Sequence, residues 1–181
     1  METMKTISLT KGYETMVDDH LYPHLSKFKW FALENGVWGV RAARQRTIGK
    51  KKQECIMMHR EIMAAKRGEI IDHIDRNPLN NQVGNLRRVT PSQSNMNRKT
   101  KHGSSRYKGV YRKRCGTGYR WAAQIRFMGK SRHIGYYKEE SDAAKAYDHV
   151  ALQVAGQYAC LNFPEAALDC AFSLLPKDHA R

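Results

Sequence analysis

One short stretch of the chain combines an acidic residue, a histidine and several asparagines, the residue types that phosphodiester cleavage needs. Asp72 and His73 are adjacent, an asparagine-rich loop runs on to Asn81, and Asn85 and the polar segment 92–98 follow. A histidine of ordinary pKa can take a proton from water, while carboxylate and amide oxygens can hold a hard divalent cation. We therefore expect this stretch to cut a nucleic-acid backbone.

The order of these residues also allows them separate roles. Neighbouring side chains on a strand point to opposite faces, so Asp72 and His73 can do different work at one site. An isolated Asp-His pair is in most proteins part of a surface turn. The spacing to Asn85 and to the cluster Asn95–Asn97 argues against that reading here.

The charge of the chain indicates a polyanionic partner. Its 181 residues include 32 Lys and Arg against 17 Asp and Glu, a formal net charge of +15. Nucleic acid is the first candidate for such a partner, ahead of a merely soluble basic protein or one drawn to acidic lipid. Double-stranded DNA is the expected partner, without a membrane or a small-molecule substrate.

The sequence contains no pattern typical of a membrane span, a signal peptide or paired cysteines. No apolar run approaches the roughly 20 residues of a membrane span, and Met1–Thr10 lacks the apolar centre of a signal peptide. We expect an intracellular protein, located in the cytoplasm. Its four cysteines lie far apart, which disfavours a zinc ribbon or a disulfide framework.

The elements before the Asp-His pair resemble a small sheet with a helix packed on it, over Ile7–Met63. Residues 19–31 have apolar side chains partly at helical spacing, and 37–42 and 55–58 have the pattern of strands. A short helix should follow over His59–Ala65. Basic residues lie in the expected loop between the strands, as phosphate contacts or as solvated side chains: Arg44, Arg46 and Lys50 to Lys52.

The second half of the chain predicts a β-β-β-α unit. Strands are expected over 108–112, 119–126 and 131–137, separated by glycine-containing turns, and a helix over 139–155 ends at Gly156. A sheet this short cannot bury both faces, so one face should pack on the helix and the other should stay open. A polar linker precedes the unit, and a further short helix is expected over 165–175.

A known nuclease pattern matches the first set of motifs. It rests on Met58-His59-Arg60, Asp72-His73, Leu79-Asn80-Asn81, Asn85-Leu86-Arg87, Val89-Thr90 and Asn97-Arg98. Residues 56–98 thus resemble an HNH endonuclease of the ββα-metal type, similar to phage homing endonucleases. That resemblance implies a single divalent cation, Mg²⁺ or another such as Mn²⁺.

The resemblance also implies a role for each matching residue. His73 would be the general base, Asp72 a metal ligand and Asn85 the residue that braces the loop. The second ligand is assigned to Asn95, although the expected position relative to Thr90 is occupied by Ser94, and Asn97 is a third possibility. His59 and Arg60 would contact DNA near the scissile phosphate, or His59 would be a buried residue at a strand end.

The second unit resembles another known domain. Its landmarks are Tyr107-Lys108-Gly109-Val110, Trp121 to Arg126, Ile134 to Tyr137, Ala143 to Asp148 and Leu161 to Pro164. They resemble an Apetala-two/ethylene-response-factor domain, in which the sheet lies in the DNA major groove. The resemblance assigns DNA contacts to Lys108, Lys113, Trp121, Gln124, Arg126 and, approximately, Arg132. Tyr111 and Cys115 replace usual contact residues, and Trp121 has an alternative place in the core.

These observations predict an α+β chain. The expected divisions are an N-terminal sheet and helix region (1–55), a ββα-metal nuclease unit (56–98), a linker (99–105), a three-stranded antiparallel sheet packed on one helix (106–164) and a tail (165–181). The leading hypothesis is a metal-dependent, site-selective endonuclease of homing type, monomeric on DNA. The alternative is a catalytically decayed DNA-binding or regulatory protein, and a structural or RNA-binding role is a distant third.

Overall fold

Short antiparallel strands build the first of the two units into which the chain divides, Met1–Pro91. The computed structural model describes residues 3–36, 39–49, 52–99 and 103–165. The elements of this unit are β1 (Met4–Ser8), β2 (Glu14–Asp18), α1 (Tyr22–Leu25), β3 (Phe31–Asn35), β4 (Gly39–Ile48), β5 (Lys52–Met57), α2 (Met58–Ile62), β6 (Ile70–His73) and β7 (Leu86–Val89). Strand β1 pairs with β2, β3–β4–β5 form a sheet, and β6 pairs with β7.

The helix expected over 19–31 is much shorter in the structure. Helix α1 covers Tyr22–Leu25 alone, and Phe31 begins a strand. Trp30 is buried in the core of the unit, where its indole Nε1 donates to the Leu25 carbonyl oxygen at 2.8 Å. A carbonyl at a helix end needs an outside partner, so this bond helps to end the helix at Leu25.

The basic residues expected in a loop lie instead in paired strands. Arg44 and Arg46 belong to β4, which pairs with β5 across Arg44↔Ile56 and Arg46↔Glu54. The Arg44 guanidinium binds Glu61 at 2.7 and 3.1 Å, and Arg46 binds Glu54 at 2.6 Å. The loop expectation is therefore wrong for Arg44, Arg46 and Lys52, because the pairing of β4 with β5 continues as far as Ile48↔Lys52. Lys50 and Lys51 lie outside the described residues.

The second unit, Ser92–Arg181, contains the expected sheet and helix. Strands β8 (Val110–Cys115), β9 (Gly118–Phe127) and β10 (Lys130–Tyr137) pair antiparallel in the order β10–β9–β8, and helix α4 spans Glu140–Ala155. Together with the first unit, this confirms the α+β class. The ββα-metal arrangement and the finer domain boundaries stay predictions.

Helix α4 packs on one face of this sheet. Its buried residues Ala143, Ala144 and Tyr147 belong to the clusters that also hold Val110 and Ile125 of the sheet. Gly109 has φ +74°, and a Cβ there would lie 2.0 Å from a Tyr147 ring carbon, so only glycine fits at this approach. The expected tail helix lies almost wholly outside the described residues. In the parts of the chain that are described, no helix has the length and apolarity needed to cross a membrane.

The helix that precedes the linker contributes to the core of the second unit. Helix α3 runs from Pro91 to Asn97, and its Met96 is 2% exposed among Ile125, Tyr147 and Ala151. The Met96 carbonyl oxygen accepts a hydrogen bond from the Cys160 backbone N–H at 2.9 Å. From sequence this helix was expected to belong with the nuclease motifs. Its Met96 packs in the second unit's hydrophobic core, and the boundary of the nuclease unit stays a prediction.

This packing predicts how the second unit behaves as a fragment. We expect residues 92–181 to fold alone, and residues 104–181 to be less stable by about 2–5 kcal/mol, because losing a buried methionine leaves a cavity. Urea unfolding of both fragments measures the difference. Equal stabilities would show that Met96 contributes nothing to this core.

Candidate active site and basic sheet face

The β6–β7 pair places Asp72 and His73 on opposite faces. Along β6, Ile71 and His73 are buried while Ile70 and Asp72 are partly exposed, as strand alternation requires. In the register of the pair, Asp72 lies across from Arg87 and His73 lies across from Leu86. The two candidate functional side chains therefore have separate surroundings.

His73 is held in a buried polar environment. Its side chain is 8% exposed, and its Nε2 lies 3.2 Å from Oδ1 of the buried Asn81. Burial is the largest influence on the pKa of His73 and lowers it, although the hydrogen bond to Asn81 acts in the opposite direction. The neutral imidazole, which is the form able to accept a proton, is thus favoured at neutral pH.

His59 lies beside His73 in the interior. The two rings meet edge to face with centroids 5.1 Å apart, and His59 is 7% exposed. Burial, with the positive charge of nearby arginines and the charge that His73 gains when protonated in acid, lowers the pKa of His59 to about 3. His59 is therefore a buried histidine, the second of the two alternatives expected from the sequence. Arg60 donates to the backbone carbonyl oxygens of Lys66 and Glu69 at 2.8 and 2.5 Å, so it also organises the chain locally.

The buried histidines predict loss of stability in acid. The pKa of His59 falls from 6.5 in the unfolded chain to about 3 in the fold, so the unfolded state binds more protons between these values. Stability is therefore present above pH 6.5 and lost as the pH falls. From pH 7.5 to 5.5, His59 alone should cost about 1–2 kcal/mol of the free energy of unfolding. Urea unfolding at both pH values tests this, and His59→Gln should show a smaller pH dependence.

Asp72 is oriented by an arginine on the neighbouring strand. Its Oδ2 accepts from Arg87 NH2 at 3.2 Å and from Arg87 Nε at 3.4 Å, and the two side chains are 16% and 13% exposed. Among the residues that the structure describes, no three His, Cys, Asp or Glu side chains cluster as a metal site. A carboxylate and an amide oxygen suit a hard cation such as Mg²⁺, which commonly keeps several water ligands.

Asn85 closes the loop that follows His73. Its Oδ1 accepts from the Asp75 backbone N–H at 3.0 Å, and its Nδ2 donates to Asp75 Oδ1 at 2.9 Å and to the Asn80 carbonyl oxygen at 2.8 Å. Asp75 also accepts from the Asn80 amide and the Asn77 backbone. Partial burial acts to raise the pKa of Asp75, but these hydrogen bonds lower it overall. Asn80 and Asn85 therefore shape the loop, while the catalytic role of Asn85 stays a prediction.

The three candidates for the second metal ligand differ in exposure within the second unit. Ser94 is partly buried, Asn95 is exposed, and Asn97 is buried at 5%. The Asn95 backbone oxygen accepts a hydrogen bond from Lys108 Nζ at 3.3 Å. This contact does not involve the Asn95 side chain, which is the group proposed to bind the metal. Exposure favours Asn95 over Asn97, and the assignment of Asn95 stays a prediction.

The face of the second unit's sheet opposite α4 is basic and polar, and we call it the open face. The register Tyr111↔Ala122↔Tyr136 defines it, because these residues alternate with Val110, Ala123 and Gly135, which face the helix. Of the predicted DNA contacts, Lys113, Gln124 and Arg126 lie on this face. It also contains residues that the sequence did not single out for DNA contact: Arg120, Ser131, His133 and Tyr136.

Other predicted DNA contacts have different positions. Trp121 lies on the helix side of the sheet and packs against the cluster of Val110, Ala123, Ala143 and Ala144. It therefore occupies the alternative place in the core. Arg132 pairs with the buried Ile125 and points to the same side. Lys108 Nζ donates to the carbonyl oxygens of Asn95 and Met96, so it caps α3. These positions do not favour direct contact through the open face.

Sequence comparison identifies relatives for most of the chain. The HNH endonuclease family profile matches residues 57–96, which span the β6–β7 pair and most of α3. An uncharacterized HNH endonuclease of Acanthamoeba polyphaga mimivirus is 32% identical over 158 residues, which cover 84% of this chain and 76% of the viral protein.

The C-terminal region has relatives among plant proteins. An AP2/ERF and B3 domain-containing protein of Oryza sativa subsp. japonica is 44% identical over 68 residues, 38% of this chain. An APETALA2-like protein of Oryza sativa subsp. indica is 37% identical over 67 residues, 36% of this chain. The chain spans 18% and 15% of the lengths of these rice proteins, so the likeness concerns one domain of each.

Proposed function

Because the chain belongs to the HNH endonuclease family, and its C-terminal region is similar to AP2/ERF domains, we propose that it is a metal-dependent, site-selective DNA endonuclease. The HNH residues 57–96 hydrolyse the phosphodiester bond, and the C-terminal sheet selects the position on duplex DNA. A homing role, for a monomer acting in an infected or bacterial cell, is part of the proposal. The observation that carries it is the buried His73 at the end of β6, directly after Asp72 and within the residues that match the HNH family.

His73 accepts the proton of the attacking water in this proposal. Burial keeps its imidazole neutral near pH 7, so a lone pair is present on the ring when water arrives. The Asn85–Asp75 hydrogen bonds hold the loop that begins at the end of β6. A base on a strand with a fixed loop after it is held in one orientation, which favours proton transfer.

Asp72 is the residue of the first unit best suited to bind a divalent cation, and Arg87 orients its carboxylate. A bound Mg²⁺ or Mn²⁺ would supply charge stabilisation to the phosphate and its leaving oxygen. Arg87 also contributes positive charge beside this carboxylate. Asn95 is the proposed second ligand.

The test is cleavage of supercoiled plasmid DNA by the full chain with and without Mg²⁺. We expect conversion to nicked or linear product when the metal is present and none when it is chelated by EDTA. Gel electrophoresis separates the two products and reports whether one or both strands are cut. Binding without cleavage under all divalent cations would favour the alternative, a catalytically decayed DNA-binding protein.

The open face should determine DNA affinity and site preference. Arg126 and Lys113 project from it and are exposed, so Arg126→Ala and Lys113→Ala should each weaken binding to the preferred duplex by about 1–3 kcal/mol if they contact bases. Lys145→Ala, an exposed lysine on α4 with a 67% exposed side chain, is the matched control and should leave binding unchanged. Titrations at two salt concentrations separate base contacts from phosphate contacts. If the control weakens binding as much as the open-face variants, a different surface contacts the DNA.

A further inference from the structure

A chain of buried polar side chains joins the N-terminal hairpin to His73. Thr15 on β2 is fully buried, Asn81 is 1% exposed and His73 is 8% exposed. Asn81 Nδ2 donates to Thr15 Oγ1 at 2.7 Å, and Asn81 Oδ1 lies 3.2 Å from His73 Nε2. Thr15 and Asn81 are 66 residues apart in sequence, so the fold brings them together.

The donors and acceptors in this series of hydrogen bonds follow from the partners of Thr15. The Thr15 hydroxyl lies 2.8 Å from the Leu79 carbonyl oxygen and 4.0 Å from the Met58 sulfur, both of which can only accept a hydrogen bond. The hydroxyl proton therefore points to these acceptors, and the Thr15 oxygen accepts from an amide N–H. Asn81 must present its Nδ2 to Thr15, and Nδ2 also donates to the Pro78 carbonyl oxygen at 3.4 Å.

With Nδ2 on that side, the amide oxygen of Asn81 faces the imidazole. A carbonyl oxygen accepts hydrogen bonds only, so neutral His73 must carry its proton on Nε2. The lone pair is then on Nδ1. The position of the ring proton matters because a histidine base acts through one particular nitrogen. The group that binds the other nitrogen selects the tautomer.

The backbone fixes the hairpin at the same place. Met16 N–H donates to the Leu79 carbonyl oxygen and Asn81 N–H donates to the Met16 carbonyl oxygen, both at 2.8 Å, and Met16 forms a parallel bridge with Asn80. Asp18 Oδ2 accepts from the Val83 backbone N–H at 2.7 Å. Strand β2 is thus paired with the loop that carries Asn81. Backbone hydrogen bonds therefore support the side-chain contacts from Thr15 through Asn81 to His73, which we call the relay.

We propose that Thr15 and Asn81 are positioning residues that set the tautomer of His73, so that its Nδ1 is the atom that accepts the proton from water. The inference rests on the proposed nuclease function for its catalytic meaning. It assigns a task to the N-terminal hairpin, which contains none of the motifs of the nuclease. Neither residue touches the substrate in this proposal, and both act through His73.

The tautomer can be measured without substrate. Long-range ¹H–¹⁵N NMR spectra of the histidine rings in the full chain distinguish the Nε2–H and Nδ1–H forms, and His73→Gln identifies the His73 signals. We expect the Nε2–H form in the wild-type protein at pH 7.5. The Nδ1–H form in the wild type would overturn the proposal, whatever the behaviour of any variant.

Variants then test the catalytic consequence. Thr15→Val removes the hydroxyl at nearly constant volume and should yield a mixture of tautomers, with kcat lower by about 10- to 10³-fold and the KM for DNA unchanged. Thr15→Ser keeps the hydroxyl and should restore both readouts. Thr10→Val is the control, because Thr10 Oγ1 likewise accepts a hydrogen bond in this unit, but from Ala32 N–H of β3 at 3.0 Å rather than from Asn81.

The outcomes separate the two proposals. A Thr15→Val protein that keeps the Nε2–H form and the wild-type kcat would overturn the relay. Equal losses in Thr15→Val and Thr10→Val, without a change of tautomer, would show a purely structural role and also overturn it. If Thr15→Val does not fold, Asn81→Asp gives a second test, because a carboxylate still accepts from Nε2–H and should keep the tautomer. A wild-type protein with the expected tautomer but no cleavage of DNA would contradict the nuclease function instead.

Discussion

Replacement of His73 by alanine is expected to lower the rate of DNA cleavage by about 10²- to 10⁴-fold, the contribution of a general base. The imidazole is buried and neutral, and no other side chain of the β6–β7 pair offers a lone pair of similar basicity. The measurement is single-turnover cleavage of a duplex containing the preferred site. Duplex binding should remain, because the basic open face lies in the other unit.

A control distinguishes loss of the base from loss of the fold. His149 is an exposed histidine on α4, and His149→Ala should cleave at the wild-type rate. Imidazole added to His73→Ala should recover part of the activity, since it can occupy the vacated volume and accept the proton. Wild-type cleavage by a folded His73→Ala protein would remove His73 from the role of base.

Replacement of Asp72 by alanine is expected to reduce metal-supported cleavage by about 10²- to 10³-fold, because a ligand of the cation contributes several kcal/mol to the transition state. A carboxylate is the strongest ligand for a hard cation among the nuclease motifs, and Arg87 holds it in place. Cleavage measured across a Mg²⁺ titration tests this. DNA affinity in a gel shift should change little.

Asp142 provides the matched control for Asp72. It is an exposed carboxylate in the first turn of α4, and Asp142→Ala should leave the metal dependence unchanged. If DNA affinity falls in step with activity in Asp72→Ala, Asp72 supports binding rather than the metal. If high Mg²⁺ concentrations restore full activity, Asp72 contributes to affinity for the cation and a second ligand dominates.

The second unit was the most predictable part of the fold. Its strands alternate polar and apolar residues, glycines mark its turns, and the apolar stripe of α4 has helical spacing. The face of the sheet on which Trp121 lies was harder to predict, because its neighbours in sequence were compatible with either face. The structure settles it through the register Val110↔Ala123, which places the odd-numbered residues of β9 toward the helix. A bulge between His133 and Gly135 shifts the register of β10, and composition does not reveal it.

Contacts between distant segments explain the rest of the differences. The sequence predicted His73 and Asp72 from their types and spacing, but it contained no signal that Thr15 would meet Asn81. Such a contact depends on the parallel bridge between Met16 and Asn80, which no local periodicity encodes. The two asparagines of the Asn80-Asn81 pair likewise look alike in sequence, while one shapes the loop and the other meets His73.

The burial of Met96 determines where this gene can exchange DNA-binding modules by recombination. A crossover in the polar linker would join a foreign module to a chain that ends with α3, and the incoming module would lack the methionine that its own core needs. A crossover between Val89 and Pro91 would transfer the helix together with the sheet it packs on. Because α3 also carries Asn95, the proposed second metal ligand, functional chimaeras should need an α3 that supplies both the buried methionine and this asparagine, even though the linker is the more polar sequence.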